Sequence, residues 1–351
     1  MFSNGLLAEL MAVAAEQQEP GSNRQKALQR AARRAIFWPE EAQSLVEAGR
    51  SLTELSGVGP WLARLLAEWL DGVVPLEVPE PPEVRRGFMT LAEVRAILAG
   101  DPSWPAGLQA DLQMHTTYSD GSVPLRDMVN AAAALGYGHV NITDHSVGLK
   151  IARGMSHQEL DEQAHDIAGL NRELEGSGER IRVLHGLEMN LSPEGEGDMD
   201  PKALARLDLV LGAFHSKLRV TEDQTARYLA ALRNPTFHVL AHPRGRMFNR
   251  RAGLRADWPR VFDEAVAQGK AVEIDANPNR QDLDVELLKL AREAGVWISM
   301  GTDSHSVGEL LFMEFGLAAA VRAEVPKDRI LNFMTRDELL EWAARPARVS
   351  G

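Results

Sequence analysis

The 351 residues carry a net charge of −12, 44% apolar side chains and no cysteine. This length allows two domains with a sizeable core, and the missing thiols exclude disulfides, thiolate metal sites and cysteine nucleophiles. The negative balance excludes bulk coating of nucleic acid, so any such contact must come from a local basic surface.

Residues 1–71 read as an all-α domain. In RQKALQRAARRAIFWP, Lys26, Arg30, Arg33 and Arg34 share one helical face, opposite an apolar face of Leu28, Ala32, Ala35 and Ile36. Glu9 interrupts the early apolar run, so no signal peptide is expected. The segment LTELSGVGPWLARLLAEWL has the form of a helix-hairpin-helix. Its Gly57-Val58-Gly59 turn and the helix that follows could hold a DNA phosphate on backbone N–H groups. A solvated basic face and a plain helix connection are the blander readings of these two features. Residues 72–108 read as a connector: Pro79, Pro81 and Pro82 favour an extended spacer. A short helix then opens at Thr90, with Glu93 closing a capping box.

Residues 109–351 read as repeated strand–helix units. ADLQMH, HVNITDH, RVLHGLEMNL, LVLGAFHS, HVLAHP, AVEIDAN and VWISMGTDSH are continuous apolar runs of the kind buried parallel strands require. Seven such units predict an α/β fold, a closed or nearly closed β/α barrel. Each run ends in polar residues: His115; Asp144 and His145; Glu188; His215; His242; Glu273, Asp275 and Asn277; Asp303 and His305. The C-terminal strand ends of such a barrel share one face, so these residues converge. Imidazole and carboxylate suit Zn²⁺, Mn²⁺ or Fe, and the set exceeds what one ion needs, so two to three ions are expected. His139, His157, His165, His185 and His238 lie at strand starts, on helices or inside strands, and are read as structural. No charge-free run of about 18 apolar residues occurs, so no membrane span is expected. A cytoplasmic location and a monomer are the default expectations.

In order, DLQMHTTYSDGS, ITDHS, LEMNL, FHS, AHP and TDSH resemble the successive motifs of the PHP (polymerase and histidinol phosphatase) family, over roughly Ala110 to Arg322. The resemblance implies a distorted seven-stranded, TIM-like barrel with a trinuclear metal centre that hydrolyses phosphoesters, His115, His145, Glu188 and Asp303 being central. One ion would use Gln113, His115, Glu188 and Asp303. A second would share Glu188 and add His215 and His242, and a third would use Asp120, His145 and His305. The commonest first motif is D-L-H-x-H; here Gln113 stands in place of the first histidine. An amide oxygen is a weaker, uncharged ligand, so the first ion would bind more loosely, or Asp111 or a water would take over. The same glutamine occurs in the PHP domains of bacterial family X DNA polymerases.

Lys217 and Arg219 follow FHS, and Arg244 and Arg246 follow AHP; all four are candidates for binding the non-scissile part of a phosphodiester. Residues Leu6 to Asp71 resemble the DNA-end-binding domain of family X polymerases. The connector is too short for a polymerase core, so polymerase activity is expected to be absent. The expected function is a metal-dependent phosphoesterase acting on DNA ends or lesions, as 3′–5′ exonuclease, 3′-phosphatase or abasic-site nuclease, with an activated water attacking phosphorus. A small-molecule phosphatase of the histidinol-phosphate type and a non-catalytic DNA-end-binding protein are the alternatives.

Overall fold

The computed structural model describes residues 2–72 and 80–345. It divides into two compact units, Met1–Asp101 and Pro102–Gly351.

The first unit holds helices α1 (Asn4–Glu16), α2 (Asn23–Ala35), α3 (Ala42–Glu47), α4 (Pro60–Leu70) and α5 (Leu91–Gly100). Leu7, Met11, Leu28, Leu45, Leu62 and Leu66 are fully buried and form its core. The segment expected as connector contributes to this unit. Arg85 pairs with Glu9 at 2.7 Å, and Leu91 N donates to Ile36 O at 2.8 Å. Thr90 caps α5, with Glu93 completing the capping box. Of the three prolines of the expected spacer, Pro79 lies outside the described residues. The arm before the hairpin is one 3-10 turn, Leu52–Glu54, shorter than the helix expected there.

The second unit holds α6 (Ser103–Gly107) and then seven strands: β1 (Ala110–Met114), β2 (His139–Ile142), β3 (Arg182–Leu191), β4 (Leu209–Phe214), β5 (Val239–Leu240), β6 (Ala271–Asp275) and β7 (Trp297–Gly301). All pair in parallel, in sequence order. Asp303 N donates to Gln113 O and His115 N to Ser304 O, which draws β7 onto β1 and nearly closes the ring. Helices α7 (Leu125–Ala134), α8 (His157–Gly176), α9 (Pro201–Leu204), α10 (Thr225–Leu232), α11 (Trp258–Ala267), α12 (Val285–Ala294) and α13 (Met313–Arg322) surround it, and α14 (Arg336–Ala343) follows. Leu112, Leu211 and Val239 pack with Leu331, Leu339 and Trp342, so one end of the barrel is filled by apolar side chains. The strands are buried along nearly their whole length, as the apolar runs required.

Candidate metal centre

Glu188 stands inside β3 and is completely buried. Its Oε1 lies 2.7 Å from His242 Nε2 and 3.1 Å from His215 Nε2. Its Oε2 lies 3.3 Å from His115 Nε2 and 3.3 Å from His145 Nδ1. His115 Nε2 is also 3.1 Å from Asp303 Oδ1. Asp120 Oδ1 lies 3.2 Å from His305 Nε2 and 3.6 Å from His145 Nε2. Among the described residues, three groups have ligand atoms close enough to share an ion: His115 with Asp120, His145 and His305; His145 with Glu188 and His215; His115 with Glu188 and Asp303. These match the three expected sets in outline. The differences are that His115 also joins the third set, that His145 joins the second, and that His242 stands outside the second while its Nε2 lies 2.7 Å from Glu188 Oε1.

The donor set fits divalent ions. His115 Nδ1 and Nε2, His145 Nδ1, His242 Nδ1 and Glu188 Oε2 are buried with no hydrogen-bond partner. Buried polar atoms left this way call for a further partner, and a cation supplies one to imidazole and carboxylate together. Burial holds the His145 imidazole down at about 3, so it is neutral and able to ligate. Burial works against charge at Glu188 and at Asp303. Even so, the imidazoles around Glu188, and Arg280 and His115 beside Asp303, keep both carboxyls below the usual range. Two ligand rings are oriented from behind: His215 Nδ1 meets Asn190 Oδ1 at 3.1 Å, and His305 Nδ1 donates to Asp303 O at 2.8 Å. His242 and Asp303 have left-handed backbone, with φ of 26° and 52°. Non-glycine residues take that conformation only where the surrounding structure enforces it.

Residues 111–277 match the PHP domain family. Over 226 residues, or 64% of this chain, the sequence is 38% identical to "DNA polymerase/3'-5' exonuclease PolX" of Bacillus subtilis. The chain spans only 39% of that relative's length. It is 31% identical over 178 residues, covering 47% of this chain and 70% of the relative, to a Tolumonas auensis protein named "Probable phosphatase". The chain belongs to the PHP family. Among solved structures, the zinc-, L-histidinol- and phosphate-bound histidinol phosphate phosphatase of Lactococcus lactis aligns over 62% of this chain and 93% of its own, at 18% identity and TM-score 0.44. Membership of the PHP family and the phosphatase names among its relatives support a metal-dependent phosphoester hydrolase. No described helix is long and apolar enough to cross a membrane.

Other residues of the PHP motifs support the cluster. Asp144 accepts from Thr116 N (2.8 Å), Thr116 Oγ1 (2.7 Å), Ser119 N (3.1 Å), Ser119 Oγ (2.5 Å) and Gln163 Nε2 (2.6 Å). It therefore pins the loop that carries Asp120. A Cβ on Gly121 would meet His115 C and O at 2.6 Å, so that loop can fold back only over a glycine. The Gln113 amide is buried, and both of its polar atoms lack hydrogen-bond partners. The Asp111 carboxylate accepts from Thr302 N, Thr302 Oγ1 and Gln113 N. Burial pushes Asp111 up to about 7.

The basic candidates divide. Lys217 and Arg219 are exposed after β4. Arg244 and Arg246 are instead committed to Asp284, at 2.6 and 2.9 Å, as internal ties between loops. In the helical unit, Lys26, Arg30, Arg33 and Arg34 are all exposed on α2, and Arg34 donates to Ser56 Oγ at 3.1 Å, binding helix to hairpin. Gly57 has φ +87°, and a Cβ on Gly59 would meet nothing within 4 Å, leaving the turn's outer side open to a ligand. The Val58 side chain is buried in the core, so only its backbone could reach DNA. Arg280 was missed by sequence reasoning. Its Nε lies 3.3 Å from both Asp275 Oδ2 and Asp303 Oδ2. It sits five residues beyond β6, in a loop with no periodicity to flag it; the nearest signal is its place in NPNR, directly after EIDAN.

Proposed function

We propose that this chain hydrolyses phosphoesters in DNA, at strand ends or lesions. One observation carries the reading: the same chain joins the PHP cluster to a helical unit with a hairpin turn and an exposed basic helix face. The 38% identity to a relative named as a 3′–5′ exonuclease supports it. Gln113, His115, Glu188 and Asp303, then His215 and His242, then Asp120, His145 and His305 would hold two to three ions, Zn²⁺ or Mn²⁺, with iron a further option. When bound, such ions supply Lewis acidity and a water nucleophile at neutral pH. Glu188 faces four imidazoles and fixes their spacing, and Asp303, whose carboxyl Arg280 and His115 hold below the usual range, anchors His115. Lys217 and Arg219, exposed two and four residues after His215, would contact flanking phosphates. Nucleotide addition is not part of the reading.

The names of several relatives favour a second reading, a small-molecule phosphatase; one, YcdX of Escherichia coli, is 26% identical and 90% covered. A substrate panel separates the two. Zn²⁺- or Mn²⁺-loaded protein is given recessed, nicked, 3′-phosphorylated and abasic DNA, alongside small phosphomonoesters. Release of nucleotides or phosphate from DNA, and inhibition of phosphomonoester turnover by added DNA, are expected. Inert DNA with brisk, DNA-insensitive phosphomonoester turnover would replace this reading with the second.

A further inference from the structure

Beside the metal cluster lies a cavity of about 380 Å³, lined by Phe248, Arg250, Asn279 and Arg280 together with Asp303 and His305 of the cluster itself. This is within the size range of small-ligand sites. Arg251 stands close by. Burial lowers its hold on a proton, and the charges of Arg280, Arg219 and Arg250 lower it further, with Asp282 as the opposing charge. Its Nε is buried and lacks a hydrogen-bond partner. Two guanidinium groups, Arg250 and Arg280, thus line the cavity, with the charges of Arg251 and Arg219 felt beside them, in a chain whose net charge is −12. Gathered like charges repel, and an anion among them removes that repulsion.

The platform is built to stay in place. Arg250 N and Arg251 N donate to Met247 O at 3.0 and 2.9 Å, and Met247 N donates back to Arg251 O at 2.9 Å. Phe248 N donates to Asn279 O at 2.7 Å, which ties the loop after β5 to the loop after β6. Arg280 is braced by Asp275 and Asp303. Guanidinium is the side chain suited to forked contacts with phosphate oxygens.

We propose that Arg250, Arg251 and Arg280, with Arg219 at the margin, form a second-phosphate subsite that holds the phosphate next to the one being hydrolysed. The subsite rests on the DNA reading above and deepens it: the preferred substrate carries at least two phosphates on one sugar backbone. A nucleoside linking those phosphates would occupy the cavity, where Phe248 supplies an aromatic ring.

The test uses the full, metal-loaded chain and an Arg250→Ala/Arg251→Ala variant. Three substrates are compared: p-nitrophenyl phosphate, thymidine 3′,5′-bisphosphate and a single-stranded oligonucleotide. The ratio of kcat/KM for the two longer substrates to that for p-nitrophenyl phosphate is expected to fall about 10-fold or more in the variant. Binding of a phosphorothioate-capped oligonucleotide, followed by fluorescence anisotropy, should lose about 1 to 2 from its log–log salt slope. Arg250→Lys/Arg251→Lys should restore the salt slope, because the charge returns, but only part of the ratio, because lysine cannot make forked contacts. Unchanged ratios and slope, or a lysine variant as defective as the alanine one, would overturn the subsite. If DNA is inert but the bisphosphate preference exists and falls in the variant, the subsite stands and the DNA reading fails. If DNA is cleaved with ratios unmoved, the DNA reading stands and the subsite fails.

Discussion

His242 Nε2 and Glu188 Oε1 meet at 2.7 Å in the buried centre of the barrel, and no carboxylate of the cluster faces more imidazoles than Glu188. Glu188→Gln keeps the shape and removes the charge. We expect bound metal to fall by at least one ion per chain, and phosphoesterase activity to fall by more than the ~100-fold upper range for outer-sphere substitutions. Elemental analysis and p-nitrophenyl phosphate turnover would check both.

Asp144 contacts no ion in the expected scheme, yet it accepts five hydrogen bonds beneath the Asp120 loop. Asp144→Ala leaves those buried donors unpaired. Unfolding stability should drop by about 3 kcal/mol, and activity by roughly 10- to 100-fold through a loosened Asp120. Urea unfolding alongside kinetics would separate the two effects, and unaltered stability would contradict this account of Asp144.

Gln113 offers a buried amide whose oxygen and nitrogen both lack a hydrogen-bond partner. Gln113→Ala should speed metal loss to a chelator, whereas Gln113→His, which supplies a stronger nitrogen ligand, should slow it. Chelator-exchange kinetics on the two variants and the parent would show whether position 113 ligates. Identical rates in all three would exclude it.

The structural histidines predict an acid limit to stability. Burial, and then the charge of Lys270, lowers His238 from 6.5 to about 4, and His238 Nδ1 accepts from Val210 N at 3.0 Å. The unfolded chain takes up this proton near 6.5 and the folded chain only near 4. The contribution is therefore fully present above the unfolded value and is lost as pH falls toward the folded one. Between pH 7.5 and 4.5 the parent should lose roughly 2 to 3 kcal/mol more than His238→Asn, whose side-chain carbonyl can still accept from Val210. Denaturant titrations at the two pH values would measure the difference.

Much of this was legible in the chain. The seven strands announced themselves as apolar runs because a barrel strand is buried along its length. His115, His215 and His242 follow their strands within two residues, so a polar residue ending such a run marked the rim. Pairings across distance stayed hidden. Arg244 and Arg246 look like phosphate binders in local sequence, but their partner Asp284 lies 38 to 40 residues away. Gln163 reaches Asp144 from a helix whose pattern shows only its amphipathic face. Arg251 acquires its meaning from Arg219 and Arg280, which are brought near it only by the tied loops.

The left-handed backbone at His242 and Asp303 has a consequence for ion choice. Both residues are held in place by hydrogen bonds to the barrel itself: His242 N donates to Glu273 Oε2 at 2.7 Å, and Asp303 N to Gln113 O at 3.1 Å. The conformational penalty is offset by the barrel's own hydrogen bonds. A frame held by the chain in this way selects cations by coordination radius and remodels little around each one. Metals of different size should therefore differ in the rate they support more than in the shape of the protein they occupy.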